Sequence, residues 1–139
     1  MAKFTVEDFK APGILDFQEG EEIVELKDNC GYYINKESAP CYVVFTNRRI
    51  IICRERMEKK GLFKKVPVPS KIVGIPYDKI STLSRFKVGS DDGFIKVNAI
   101  GGKDDQFEAF KIHGENIVPT MNKIIELSGR DDIKTNRSY

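Results

Sequence analysis

Polar and hydrophobic residues alternate along much of the chain in short segments, a pattern that predicts a mainly β structure. The apolar clusters are rich in β-branched and aromatic residues, and Gly, Asn, Asp and Pro turn signals separate them. Connections of about five residues are too short for a parallel crossover, so they favour antiparallel pairing. Strand signals lie at residues 23–26, 31–34, 41–45, 50–53, 72–75, 82–88, 94–100 and 107–112. Segment 31–34 either continues the first strand past a bulge or begins its partner.

The spacing of apolar residues becomes helical after Gly114. Ile117, Met121 and Ile124 recur at helical intervals, and Gly129 is placed to end the helix. A strongly bent antiparallel sheet leaves an open corner, which a helix with one apolar face can close. We therefore predict a bent antiparallel sheet or partly open barrel of about seven strands, capped by a C-terminal α-helix.

Three segments lie outside this regular pattern. In residues 1–18 a capping box from Thr5 to Asp8 predicts a short N-terminal helical extension. Residues 54–71 show no clean periodicity and are rich in Lys, Arg, Gly and Pro, which predicts a long surface loop. The predicted domain covers residues 19–129, and the polar residues 130–139 predict a flexible tail.

Positive charge is concentrated in one short stretch of the chain. The formal net charge is only +2, but residues 48–71 carry nine basic and two acidic side chains, a net charge of +7. The uninterrupted apolar runs, such as Cys41 to Phe45 and Ile50 to Cys53, are far shorter than a membrane span. Any membrane contact is therefore expected to be peripheral.

The cysteine and histidine content gives little support for a metal centre or an enzyme. Cys30, Cys41 and Cys53 form no Cys-x-x-Cys pair, and His113 is the only histidine, so a zinc site is not expected. Scattered thiols favour a reducing, cytoplasmic location. The sequence groups no nucleophile with a base and indicates no cofactor and no small-molecule substrate, so we do not expect an enzyme.

Three passages resemble one known family. They are residues 20–22 (GEE) before the first strand, 44–51 (VFTNRRII) at the central hairpin and 74–80 (GIPYDKI) before a later strand. With the C-terminal helix, they make residues 19–128 similar to the bacterial pleckstrin-homology-like domains, and more distantly to the GRAM domains. The resemblance implies a pleckstrin-type fold, a role in binding or assembly, and no catalytic centre. The 54–71 loop and the N-terminal segment 4–17 depart from the family's pattern.

The first candidate site is the basic segment 59–65, in which Lys59-Lys60 and Lys64-Lys65 flank Leu62-Phe63. On a membrane the apolar pair would enter the interface, while each lysine near an anionic surface contributes about 1 kcal/mol. The alternative is a solvated loop whose Phe63 folds back onto the barrel. The sequence favours this alternative, because charge runs are usually soluble surface.

The second candidate is Arg48, which with Arg49 occupies a tight turn. A guanidinium pair can clamp a phosphate or a carboxylate. Alternation along the strand sends the two side chains to opposite faces, which favours an exposed Arg48 and an Arg49 paired with an acidic neighbour.

The sequence supports two hypotheses for function. The leading one is a cytoplasmic, non-enzymatic binding or scaffolding module that contacts a protein partner, including a second copy of itself, through its sheet edges. The alternative is peripheral binding to anionic membrane lipids through segment 59–65. Nucleic acid is not expected as a partner, because the aromatic residues of the strands do not interleave with the lysines.

Overall fold

The computed structural model describes residues 3–136, which form one large sheet and two helices. The helices are α1 (Val6–Phe9) and α2 (Ile117–Ser128). The strands are β1 (Ile23–Ile34), β2 (Glu37–Thr46), β3 (Arg49–Lys60), β4 (Lys64–Pro76), β5 (Ile80–Val88), β6 (Asp91–Ala99), β7 (Phe107–Ile112) and β8 (Lys134–Asn136). Their order in the sheet is β4-β3-β2-β1-β7-β6-β5-β8. The first seven strands pair antiparallel, while β8 pairs parallel to β5. The predicted fold class is confirmed, as an open sheet that does not close into a barrel.

Helix α2 packs its apolar face against one face of the sheet, as the helical spacing predicts. Its buried residues Ile117, Met121 and Ile124 belong to one core cluster with apolar side chains from the strands. The strand contribution to this cluster includes Phe45, Ile50, Ile52, Leu83, Ile95 and Phe110. Gly129 follows the helix at φ 65°, a left-handed conformation that glycine adopts without steric cost. The helix therefore covers apolar side chains of the sheet that would otherwise be exposed to water.

The N-terminal extension packs on the opposite face of β2 and β3. Phe4, Phe9 and Leu15 form a second core cluster there with Tyr42, Val44, Ile51 and Cys53. The ring of Phe9 meets that of Tyr42 at 5.7 Å between centroids. The predicted capping box is present, since the Thr5 backbone N–H donates to the Asp8 carboxylate at 2.7 Å. The middle of β2 and the first residues of β3 are thus buried on both faces.

The expectation of a long surface loop at residues 54–71 is wrong. Strand β3 continues to Lys60 and β4 begins at Lys64, so that only three residues form the turn between them. The two strands stay in register from Arg54 opposite Ser70 to Lys60 opposite Lys64. Most side chains of this extension are exposed on both faces of the hairpin. The strand pattern is hidden in the sequence because neither face has an apolar core to bury.

Strand β1 decides between two alternatives that the sequence left open, and the C-terminal segment corrects one prediction. Segment 31–34 continues the first strand past a register shift between Lys27 and Cys30, rather than beginning a new strand. Residues 130–136 are not the flexible tail that their polarity predicts, because Ile133 is buried in the core and β8 pairs with β5. The remaining three residues of that predicted tail, like residues 1 and 2 of the predicted extension, lie outside the described residues.

Candidate functional site

The turn of the β3–β4 hairpin carries the most exposed large apolar side chains of residues 3–136. Leu62 is 88% exposed and Phe63 is 99% exposed. Gly61 begins the turn at φ 81°, a left-handed conformation that glycine adopts readily. We call residues 59–65 the hairpin tip. The tip therefore presents its two apolar side chains to solvent.

The four lysines of the hairpin tip are arranged on both faces of the hairpin. Lys59 lies opposite Lys65, and Lys60 lies opposite Lys64. Because side chains alternate along a strand, one lysine pair points to each face. Like charges directly opposite each other are unfavourable. Within residues 3–136 none of the four has a carboxylate at ion-pair distance, so the tip keeps its positive charge.

The expectation that Phe63 folds back onto the barrel is wrong. Cys53 is the last buried residue of β3, and about 23 Å of extended strand separates it from Lys60. Pairing between β3 and β4 up to Lys60 and Lys64 holds the turn beyond the reach of the core. The exposure of Phe63 follows from the length of the hairpin rather than from a local preference of the turn.

Arg48 lies at the opposite end of β3 from the hairpin tip. The length of β3 places about 35 Å between the two regions, so the structure does not bring Arg48 together with the four lysines. Arg48 is exposed, and its Nη2 donates to the Glu19 carbonyl at 3.2 Å. It lines a cleft of about 340 Å³ between the β2–β3 turn, the 3₁₀ turn Tyr77–Lys79 and the end of α2. The sequence candidates therefore separate into two sites.

Arg49 has the acidic partner that the alternation argument predicts. Its Nε donates to Glu21 Oε2 at 2.9 Å and its Nη2 donates to the Leu15 carbonyl at 2.8 Å. The Glu21 carboxylate also accepts from the Thr46 hydroxyl at 2.7 Å. Burial raises the pKa of Glu21, but hydrogen bonds led by that of Arg49 outweigh it and leave the pKa below its ordinary value. This buried network joins the N-terminal extension to the β2–β3 turn.

The three cysteines are free and buried. Burial raises the pKa of the Cys53 thiol to about 12, and a hydrogen bond with Cys30 together with burial raises the pKa of Cys41. Thiols in this state are poor nucleophiles and poor metal ligands at neutral pH. No group of three His, Cys, Asp or Glu side chains in residues 3–136 is placed to hold a metal ion. Neither helix in that part of the chain is long and apolar enough to cross a membrane.

Comparison with known proteins identifies the family. The family model described as "Bacterial PH domain" matches residues 18–113. The chain belongs to the bacterial PH domain family. The Vps36 N-terminal PH domain is similar in structure, with a TM-score of 0.55 and 13% identity over 81% of this chain and 83% of that chain. The hSac2 domain from human phosphoinositide phosphatase Sac2 has a TM-score of 0.52 and 6% identity over 88% of this chain and 80% of that chain. These two likenesses concern the fold, and among curated proteins no sequence matches.

Sequence reasoning missed one cation of this bacterial PH domain. Lys79 lines the same cleft as Arg48, although β3 and β4 separate the two residues along the chain. The signal was present in the Ile-Pro-Tyr-Asp-Lys passage of residues 75–79, which resembles the family and which the structure brings beside the β2–β3 turn. That proximity follows from the pairing of Arg49 with Pro76 in the sheet and from the hydrogen bond that the Tyr77 N–H donates to the Arg48 carbonyl at 3.0 Å.

Proposed function

We propose that this PH domain is a non-enzymatic, cytoplasmic module that binds anionic membrane surfaces through its hairpin tip. One observation carries the proposal: Phe63 and Leu62 are almost fully exposed between two pairs of lysines that form no ion pair within residues 3–136. Exposed apolar side chains bordered by basic ones match the boundary between the lipid headgroups and the acyl chains.

The energetic contributions favour reversible binding. Full burial of a Leu or Phe side chain is worth about 1.5–3 kcal/mol, and each lysine near an anionic surface adds about 1 kcal/mol. The loss of translational and rotational freedom opposes both contributions. The apolar pair and the four lysines are therefore both needed for measurable affinity.

The register of the hairpin favours entry with the turn first. Lys59 and Lys65 lie on one face, and Lys60 and Lys64 lie on the other, directly behind the apolar turn. In that orientation all four ammonium groups can reach the headgroups together. A hairpin lying flat on the surface would turn one lysine pair away from the lipid.

The chemistry of the β4 edge weighs against self-assembly by strand addition there. Strand β4 is an edge of the sheet, and Pro67 and Pro69 interrupt its middle. Proline on an edge strand has no N–H to offer an incoming strand. Protein contact, the function favoured by the sequence, is therefore the alternative from which an experiment on the tip must distinguish membrane binding.

The test is flotation of the full chain with vesicles that contain about 30% anionic phospholipid, at low and high salt. We expect binding at low salt, its loss as salt rises, and a decrease of roughly tenfold or more for the double variant Leu62→Ser/Phe63→Ser. Ile100→Ser is the matched control, because Ile100 is 59% exposed in the β6–β7 connection, away from the tip. This control should float like the unmodified chain.

Two results would overturn the proposal. One is failure of the unmodified chain to bind anionic vesicles at low salt. The other is equal binding by the double variant and the control. Light scattering on the same samples distinguishes the protein alternative: an oligomer that the tip substitutions dissociate, without any vesicle binding, would assign the tip to protein contact.

A further inference from the structure

We infer that the cleft beside Arg48 binds the phosphate group of a small, soluble phosphate ester, independently of the membrane function proposed for the tip. The cleft has a volume of about 340 Å³, which lies within the range of small-molecule sites. Its lining includes two cations, Arg48 and Lys79, whose charges are not neutralised by an ion pair within residues 3–136.

The β2–β3 turn holds Arg48 in a fixed backbone position. The Thr46 hydroxyl accepts from the backbone N–H of Arg48 and of Arg49, each at 3.0 Å. The side chain of Asn47 donates to the Gly20 carbonyl at 2.9 Å and accepts from the Glu22 N–H at 2.8 Å. Within residues 3–136 the Arg48 side chain donates only through Nη2, to the Glu19 carbonyl, so its other N–H groups are available to a ligand. A preorganised guanidinium loses less entropy when it binds an oxyanion.

The other walls of the cleft suit a doubly charged head with a small organic part. Lys79 adds the second cation, and among residues 3–136 Asp78 is the one carboxylate of the lining. Arg49 also lines the cleft, but Glu21 neutralises it. Pro76 and Leu127 supply apolar surface. The carbon skeleton of an ester can contact this surface, whereas inorganic phosphate has no carbon atoms to do so. Two cations against one anion favour a dianionic phosphate over a single carboxylate.

The position of the cleft, far from the exposed apolar residues of the hairpin tip, favours a soluble ligand over a lipid headgroup. The full length of β3, about 35 Å, separates the cleft from the exposed apolar residues of the hairpin tip. The large exposed hydrophobics of residues 3–136 do not include a residue of the cleft lining. A phosphate bound there reaches the cleft from solution.

The test is a titration of the full chain with glycerol 3-phosphate at low ionic strength, followed by amide NMR shifts and calorimetry, with glycerol as the neutral control. We expect saturable binding with shifts centred on Gln18, Arg48 and Lys79, and none with glycerol. Arg48→Ala and Lys79→Ala should each weaken binding by about fivefold to tenfold. Asp78→Asn should strengthen it by about twofold, because it removes the one opposing charge. Lys103→Ala, an exposed lysine in another connection, should leave binding unchanged.

The inference is overturned if glycerol 3-phosphate does not saturate any site, or if Arg48→Ala and Lys79→Ala bind as the unmodified chain does. Equal weakening by Lys103→Ala would also overturn it, since binding would then reflect overall charge alone. The Leu62→Ser/Phe63→Ser variant should retain glycerol 3-phosphate binding. Vesicles containing phosphatidic acid should not shift the cleft amides, and a shift there would assign the cleft to lipid instead.

Discussion

Replacing Arg49 with methionine removes the centre of the buried network at the β2–β3 turn. The Arg49 side chain is 11% exposed and the Glu21 side chain is fully buried. Arg49 makes four side-chain hydrogen bonds, two to the Glu21 carboxylate and two to the carbonyls of Leu15 and Asp16. Methionine fills a similar volume but offers no donor. The substitution leaves the Glu21 carboxylate buried without its cation.

The expected cost at neutral pH is about 3–5 kcal/mol of the free energy of unfolding, the usual effect of removing one partner of a buried ion pair. That is a large part of the roughly 5–15 kcal/mol that a domain has in total. The Glu21→Gln/Arg49→Met double variant avoids an uncompensated buried charge. We expect a coupling energy of about 2 kcal/mol from the double-mutant cycle, since the two single substitutions break the same contacts.

The pH dependence tests the electrostatic part of this reasoning. In the unmodified chain the pKa of Glu21 is below its ordinary value, because the hydrogen bonds led by Arg49 outweigh the effect of burial. The stability that Glu21 adds is therefore present above the ordinary carboxyl pKa and is lost as the pH falls through the lower folded-state pKa. In Arg49→Met the hydrogen bonds from Gln18 and Thr46 remain, but the hydrogen bonds and charge of Arg49 are lost, so burial favours protonation of Glu21 more than in the unmodified chain. The difference in free energy of unfolding between the two chains should therefore decrease as the pH falls from about 7 to about 4.

Urea unfolding followed by far-ultraviolet circular dichroism measures this gap, since the chain has no tryptophan. Thr135→Ala, a substitution of an exposed residue in β8, is a control that should stay within about 0.5 kcal/mol of the unmodified chain. A neutral-pH gap below about 1 kcal/mol would contradict the assignment of a buried ion pair. A gap that widens in acid would contradict the sign of the Glu21 shift.

Two further predictions concern the core. Met121→Ala should lower the free energy of unfolding by about 2–5 kcal/mol, because Met121 is fully buried between α2 and the sheet. In the same urea assay, the control Glu126→Ala on the exposed face of α2 should change it by less than about 0.5 kcal/mol. A thiol reagent should label Cys30, Cys41 and Cys53 slowly in the native chain and rapidly in the urea-unfolded chain, because all three thiols are buried. The pKa of Cys41 is raised by its hydrogen bond with Cys30 and by burial, and the pKa of Cys53 is raised by burial. Rapid labelling of the native chain would contradict their burial.

The elements that bury an apolar face could be predicted from the sequence. Segment 41–45 is a continuous apolar run because both of its faces are buried, and helix α2 shows helical spacing because one of its faces packs against a core. Residues 54–60 also form part of a strand, the second half of β3, but they have no such pattern because they extend beyond the core and most are exposed. Their pairing comes from continuation of the β3–β4 register rather than from local apolar alternation.

The candidate sites show the same limit. The composition of residues 59–65 can be read from the sequence, but the exposure of Phe63 depends on how far the hairpin extends past Cys53. Similarly, the buried partner of Arg49 could be expected as an acidic residue without being identified as Glu21, which precedes β1. Both facts depend on sheet register, which a single sequence specifies only where one face is buried.

Folding alone does not account for the composition of the hairpin tip. A turn that served only to join β3 and β4 would be more favourable without lysine opposite lysine at two successive pairs, and without Leu62 and Phe63 exposed to water. The buried part of β3 has the opposite character, since residues 50–53 are apolar and fully enclosed. The extension therefore adds unfavourable contacts to a strand that is already well anchored. Contacts with a surface that is both apolar and anionic would offset both unfavourable features at once, and this supports the proposed membrane role of the hairpin tip.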